Sequence, residues 1–392
     1  MSRLATQWIA RLARILFRLT HHLALGPSVH CVISKPRAFT SGARDPAWNI
    51  SNCLRYQLPV YHGGGVRTMD ELEPQTHLAT PSSGSPEESA PPQPPVFPVS
   101  RGHALFEGPN GLRAGWRIFL YLGMGVIVFF LLSALVAGIP ERRAGGLWKD
   151  MCYEAVMAIS ALVPAFVMGS IEDRPFAAYG LPGRKALRKD FWLGVVWGIA
   201  AFSFLMLLLR ALGALTVGHL VLHGGQALKF ALFWAAYFLL VGFFEEFSLR
   251  GYTQFTLGNS IGFWPSALLL SPVFGAIHIF NSGETWIGEA GAAAIGLFFC
   301  LTLRRTGNLW FAVGMHASWD WGESYLYSVP DSGGMVPGHL LHSSLHGSRW
   351  LTGGSVGPEG SVLLFVVIAF AWVVFDRMYP ARTTAHKKSL PS

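Results

Sequence analysis

The run Ile118-Phe-Leu-Tyr-Leu-Gly-Met-Gly-Val-Ile-Val-Phe-Phe-Leu-Leu-Ser-Ala-Leu-Val-Ala-Gly-Ile-Pro140 holds no charged residue. At 1.5 Å of rise per residue, about 20 apolar residues cross the hydrocarbon of a bilayer, so this run predicts a membrane-spanning helix. Working outward, eight windows of this kind are expected. They are Arg117 to Gly138, Met151 to Ile171, Phe191 to Leu212, Phe230 to about Gly258, Phe263 to Phe280, Thr285 to Leu303, Leu309 to Tyr327 and Ser361 to Phe375. Together they predict an all-α, polytopic bundle of about eight transmembrane helices.

Composition points the same way. The chain has 392 residues, 51% hydrophobic and 13% charged, about half of the roughly 25% charge of a soluble domain. The formal charge of +8 arises at the N-terminus, where residues 1–68 hold nine of the 30 basic residues and, in Asp45, one of the 22 acidic ones. The remainder is neutral, so the basic balance gives no reason to expect a nucleic-acid partner. Cys31, Cys53, Cys152 and Cys300 are too scattered for a disulfide framework or a zinc knuckle and read as buried thiols.

Four regions are expected. Residues 1–68 form a basic segment in which Leu4, Trp8, Leu12, Ile15 and Leu19 share a helical face beside Arg3, Arg11, Arg14 and Arg18, a pattern that suits an anionic membrane surface. The same stretch also reads as translated upstream sequence, with Met69 as the start. Residues 69–112, Pro-rich from Pro74 to Ser100, read as a disordered cytoplasmic linker. Residues 113–380 are the membrane domain, and residues 381–392 a basic cytoplasmic tail. If the first span enters from the cytoplasm, that side receives fourteen Lys/Arg: 113, 117, 174, 184, 185, 188, 189, 250, 304, 305, 377, 382, 387 and 388. The other side receives Arg142, Arg143, Lys149 and Arg349. Basic loops stay inside, so a multi-pass protein of the cell (inner) membrane with both domain ends cytoplasmic is expected.

An ionisable side chain at mid-bilayer costs about 2.5–3.5 kcal/mol on insertion scales, which makes it a functional candidate. Such residues gather in the C-terminal half as Glu245-Glu246-Phe-Ser-Leu-Arg250, Phe274-Gly-Ala-Ile-His278 and His316-Ala-Ser-Trp-Asp320. Counted from the turns near Gly258 to Phe263 and Arg304 to Gly307, Glu245, His278 and His316 lie roughly 20, 22 and 14 Å along their helices. They are therefore expected to meet below the cytoplasmic surface. Neighbouring helical residues diverge by about 100°, so only one of Glu245 and Glu246 is expected to face a small site. Glu246 and Arg250, at i,i+4, are expected to pair, leaving Glu245 free as a general base with His278 as its proton partner. His316 and Asp320 would form the opposite edge.

These motifs, Glu-Glu-x-x-x-Arg, Phe-x-x-x-His and His-x-x-x-Asp in that order, resemble the CPBP (Abi) membrane proteins, which include the type II CAAX prenyl endopeptidases. The resemblance covers about residues 230 to 325. It implies an intramembrane endopeptidase acting on membrane-associated protein or peptide substrates, CAAX-type prenylated chains among them. In it Glu245 and His278 activate a water, while His316 and residue 320 stabilise the oxyanion; Glu246, Arg250 and Phe274 become secondary or structural. The prenyl endopeptidases carry Asn where this chain has Asp320. That Asp must be protonated, orient His316, or help hold a cation. The resemblance implies a metal-free glutamate mechanism with no cofactor; the alternative is a zinc held by Glu245, His278, His316 and Asp320. Two other functions share these features: a non-catalytic scaffold or bacteriocin self-immunity protein, and a proton-coupled transporter. The second is disfavoured because the ionisable cluster is expected only in the second half of the domain. Among the remaining features, His339, His342 and His346 lie in a Gly/Pro-rich loop, Gly194 and Gly198 permit close helix contact, and Arg210 is expected to snorkel.

Overall fold

Inside hydrocarbon every backbone N–H and C=O must find a partner within the protein, so apolar runs of this length fold as helices. The computed structural model describes residues 107–108 and 111–381, and the expected features of residues 1–68, the Pro-rich stretch from Pro74 to Ser100 and the tail beyond residue 381 lie outside them. The helices are α1 (Ala114–Ala137), α2 (Glu141–Ile171), α3 (Lys189–Ala211), α4 (Gly224–Glu246), α5 (Gln254–Ile261), α6 (Phe263–Ile277), α7 (Trp286–Thr306), α8 (Trp310–Trp321) and α9 (Leu363–Met378). Among the described residues, six continuous helical stretches are long and apolar enough to cross a membrane, including Gly224–Ile261, which joins α4 to α5. The chain is thus an all-α, multi-pass membrane bundle.

The seventh and eighth expected spans are shorter. α8 has 12 residues followed by a π-helical turn of six, Gly322–Tyr327, and α9 has 16. Twelve residues of helix reach about 18 Å, short of a 30 Å hydrocarbon core. α8 does not need that length, because it is packed on α3, α4 and α7 and buries ten of its residues. Large apolar side chains are instead exposed on the peripheral helices, such as Leu131 and Leu135 on α1, Phe166 on α2 and Leu207 on α3. That outward apolar surface is what lipid contact requires.

The contact of α8 with α3 depends on the two glycines singled out in the sequence. A Cβ on Gly194 would lie 2.1 Å from the Phe311 carbonyl oxygen, and one on Gly198 would lie 2.2 Å from that of Met315. Replacing Gly198 by Leu is expected to force the helices apart and cost several kcal/mol, like other overpacked cores. A fall in unfolding temperature of the purified protein, with Gly115→Leu as a control in open space, measures it.

Two short antiparallel ladders accompany the helices: β1 (Glu107–Gly108) with β2 (Gly111–Leu112), and β3 (Leu215–Leu220) with β4 (Leu341–Leu345). The second places the three histidines of the Gly/Pro-rich loop apart: His342 lies in β4 and stacks on His219, while His339 and His346 flank the strand. Arg210, rather than only reaching outward, donates from Nη1 to the Leu215 carbonyl (3.2 Å) at the start of β3.

The ends of the bundle differ. At one end, the 172–188 connection meets the α7–α8 turn, where the Leu309 amide donates to the Gly180 carbonyl (2.8 Å). Here Glu172 accepts from Arg117 and from the Tyr252 hydroxyl (2.6 Å), tying α1, α2 and the stretch before α5. At the other end β3, β4 and the long loop before α9 form a roof. Trp234 Nε1 of α4 donates to the Pro337 carbonyl (3.1 Å) and pins the roof to the helix beneath.

Candidate active site

An ionisable group in a span is tolerated when neighbouring helices supply its partners, and α4, α6 and α8 do so here. Glu245, Phe274, His278, His316 and Asp320 line one cavity of about 610 Å³. Its walls come from the roof-side parts of α2, α6, α7 and α8 and mainly from the second half of α4, and roof residues such as Val336 and Pro337 close it. The cavity therefore runs from the roof down to Glu245, at the far end of α4.

Glu245 and Glu246 end α4, and a π-helical stretch, Phe247–Thr253, follows them directly. Such wide turns recur at functional sites. Both carboxylates reach the same imidazole, although only Glu245 of the two lines the cavity and Glu246 is fully buried. His316 inserts between them, so residues about 100° apart on α4 address opposite edges of one ring. Nδ1 lies 2.9 Å from Glu246 Oε1, whereas Nε2 lies 3.5 Å from Glu245 Oε2 and 3.6 Å from Asp320 Oδ2. A carboxylate only accepts, so the Nδ1–H donates to Glu246 and the Nε2 edge faces the cavity. Phe299 stacks on the ring at 5.8 Å and fixes its plane.

Glu246 and Arg250 pair as expected, at 3.1 Å, with both side chains almost wholly buried. Arg250 is therefore not a loop charge and drops out of the count that set orientation. A single oxygen of Glu246 takes both Arg250 and His316, while Glu246 Oε2 and Arg250 Nη2 have no hydrogen-bond partner among the described residues. The guanidinium lies over the Phe274 ring at 4.1 Å. Gly296 of α7 makes the room, since a Cβ there would stand 2.2 Å from Nη2.

His278 follows α6, and its Nδ1 donates to the Phe274 carbonyl (2.6 Å), leaving Nε2 as the free acceptor. Phe274 packs edge-on against His278 at 4.8 Å. Among the described residues, the ion-pair contact of Glu245 is with His316, whereas the sequence reading paired it with His278. Both nevertheless face the one cavity. No three of Glu245, His278, His316 and Asp320 bring ligand atoms within 4.8 Å of one another.

Three features escaped the sequence reading. Asp150 and Glu154 of α2 line the same cavity, and Glu154 Oε1 accepts from the Tyr237 hydroxyl (3.2 Å). The ionisable lining is thus not confined to the second half of the domain; Glu154, inside the second expected span, was the available signal. Second, Phe299 looks like any other apolar residue in its window. Third, Asp331 and Glu359 of the roof also face the cavity. Burial, with Glu359 alongside, pushes the Asp331 carboxyl up to about 7, and burial pushes Glu359 upward as well.

The motif-bearing region has a known counterpart: the family model described as type II CAAX prenyl endopeptidase Rce1-like matches residues 227–322. The segment is similar to that family. It includes Glu245, Glu246, Arg250, Phe274, His278, His316 and Asp320, and it supports a CAAX-type intramembrane protease kind of function for a multi-pass membrane protein acting on membrane-associated peptides. No curated protein and no solved structure matches the chain.

Proposed function

We propose that this chain is an intramembrane endopeptidase that hydrolyses peptide bonds of membrane-associated substrates, prenylated CAAX-type chains among them, with a water activated by Glu245 and His278. The observation that carries the reading is the convergence of Glu245, His278, His316 and Asp320 on one cavity within the Rce1-like segment. Glu245, a quarter exposed to that cavity, takes one proton of the attacking water while His278 Nε2 accepts a hydrogen bond from the other O–H, and Glu245 returns its proton to the amine nitrogen as the C–N bond breaks. Glu246 holds the Nδ1–H of His316, so a protonated His316 presents Nε2–H to the oxyanion as it forms. Donors fixed before the reaction stabilise such charge most effectively. Asp320, beside Nε2, takes the orienting role among the three open to it. The mechanism is metal-free.

The test is cleavage of prenylated and unmodified peptides by the purified protein, with and without a strong chelator. Cleavage that survives the chelator supports the metal-free form. Loss on chelation and return with added zinc overturns it, and no cleavage across a broad panel favours the non-catalytic scaffold.

The loop charges also support a reading of which side the cavity opens to. With both domain ends cytoplasmic, the roof at which the cavity opens faces away from the cytoplasm. In a chain otherwise free of cysteine, Ser282→Cys at the roof end is expected to react with a membrane-impermeant maleimide on intact cells. Asn259→Cys, at the opposite end, is expected to react only after permeabilisation. Both side chains are exposed, and the reverse pattern turns the protein over.

A further inference from the structure

Where the end of α8 meets the roof lies a second group of acidic side chains that the peptide-cleavage reading does not use. Glu323 sits in the π turn after α8; Asp331 and Glu359 sit in the loop above it. One carboxylate oxygen of each lies within 4.8 Å of the others. Glu323 is fully buried, and neither of its oxygens accepts a hydrogen bond from a described residue, although the Trp319 indole lies one turn earlier. Ser324 Oγ donates to Asp331 Oδ2 (2.8 Å) and Ser332 Oγ to Glu359 Oε2 (3.2 Å). Both oxygens of Glu323 are therefore buried without a donor, whereas Asp331 and Glu359 are half-buried and line the cavity. Among the described residues, no Lys or Arg pairs with any of the three.

A buried carboxylate such as Glu323 that faces two half-buried ones must either take up a proton or share a cation. Protons remove the repulsion but leave the Glu323 oxygens unpartnered, whereas a cation answers both needs. The donors are all oxygen, the chemistry of a hard ion rather than zinc or copper. Mg²⁺ keeps several waters and strict octahedral geometry; Ca²⁺ accepts several carboxylates in irregular sets.

We propose that Glu323, Asp331 and Glu359 bind a hard divalent cation of the Ca²⁺ class. Its place in the fold gives it a task. Glu323 lies one residue beyond the Rce1-like match, and the loop runs from Asp331 to Glu359, so the ion staples both ends of the roof to the end of α8. The chain is already drawn tight here: a Cβ on Gly357 would lie 1.9 Å from the Pro330 carbonyl oxygen and 3.3 Å from Glu323 Oε1. Asp331 and Glu359 also line the cavity, so the ion holds the wall against which a substrate lies.

The experiment uses the full-length protein in lipid nanodiscs, stripped with chelator and titrated with Tb³⁺, whose luminescence is excited through nearby tryptophan. Thermal unfolding with and without Ca²⁺ is followed in parallel. One saturable Tb³⁺ site displaced by Ca²⁺, and an unfolding temperature raised by several degrees in Ca²⁺, are expected. Glu323→Gln and Asp331→Asn are each expected to weaken displacement at least tenfold and to abolish the thermal shift. In chelator Glu323→Gln is expected to unfold at or above the wild-type temperature, since it removes a buried charge. Should that variant fail to fold, the more accessible Asp331→Asn carries the test. Absence of saturable binding at millimolar Ca²⁺, or binding that survives both substitutions, overturns the proposal. So does binding lost in Glu245→Gln but kept in Glu323→Gln, which moves the ion to the catalytic cavity.

Discussion

Glu245→Gln is expected to lower kcat for peptide cleavage by about 10²- to 10⁴-fold, the usual contribution of a general base. The amide keeps the size of the carboxylate and can accept a hydrogen bond, but it cannot take a proton from water. Because the side chain is a quarter exposed and makes no contact shorter than 3.5 Å to His316, the fold is expected to tolerate the change with little loss of stability. KM should stay within a few-fold of wild type, since the lost interaction belongs to the transition state. Cleavage by the variant at the wild-type rate would remove Glu245 from the chemistry and return the polar cluster to a structural role.

Glu246→Gln is expected to act on stability first and on activity through it. Glu246 and Arg250 form a buried pair, and removing one partner of such a pair typically costs about 3–5 kcal/mol because the other charge is stranded. The same substitution loosens His316, whose Nδ1 has Glu246 as its hydrogen-bond partner. Two measurements separate these effects. The double variant Glu246→Gln, Arg250→Met, which removes the stranded charge, is expected to recover much of the unfolding temperature. Cleavage should stay low in both, because the imidazole has lost the anion that sets its tautomer. If the double variant recovers both, Glu246 serves the fold alone.

How far the sequence spoke for the structure depended on the physical signal at each position. Long uncharged runs such as Ile118–Pro140 marked their helices to within a few residues, because burial in lipid leaves little alternative to an α-helix. Rare charges marked the cavity, because an ionisable group inside a span is expensive enough to stand out. The reading failed where geometry departs from an ideal helix or where the partner is distant in the chain. No spacing announces that Glu245 and Glu246 grip one imidazole from two edges, since that depends on where α8 enters. Neither π turn carries a residue pattern that distinguishes it from the helix it continues. Phe299 was invisible for another reason: a ring that stacks on a histidine is spelled like any apolar residue. The meeting of Glu323, Asp331 and Glu359 is set by how the roof loop folds back, and glycine- and proline-rich loops carry no periodicity to read.

The cavity reaches from the roof down to Glu245, and its opening at the roof bears on how a peptide would arrive. A protease whose site lies deep in lipid must unwind a helical substrate there, stripping backbone groups of their partners at several kcal/mol each. Here roof residues such as Met335, more than half exposed, stand at the rim of the same cavity. An extended segment can enter from the aqueous side with its amides still hydrated, leaving a lipid tail or an apolar flank in the bilayer as tether. Under the proposed function, the bonds open to cleavage lie in extended segments beside a membrane anchor that are long enough to reach from the roof down to Glu245.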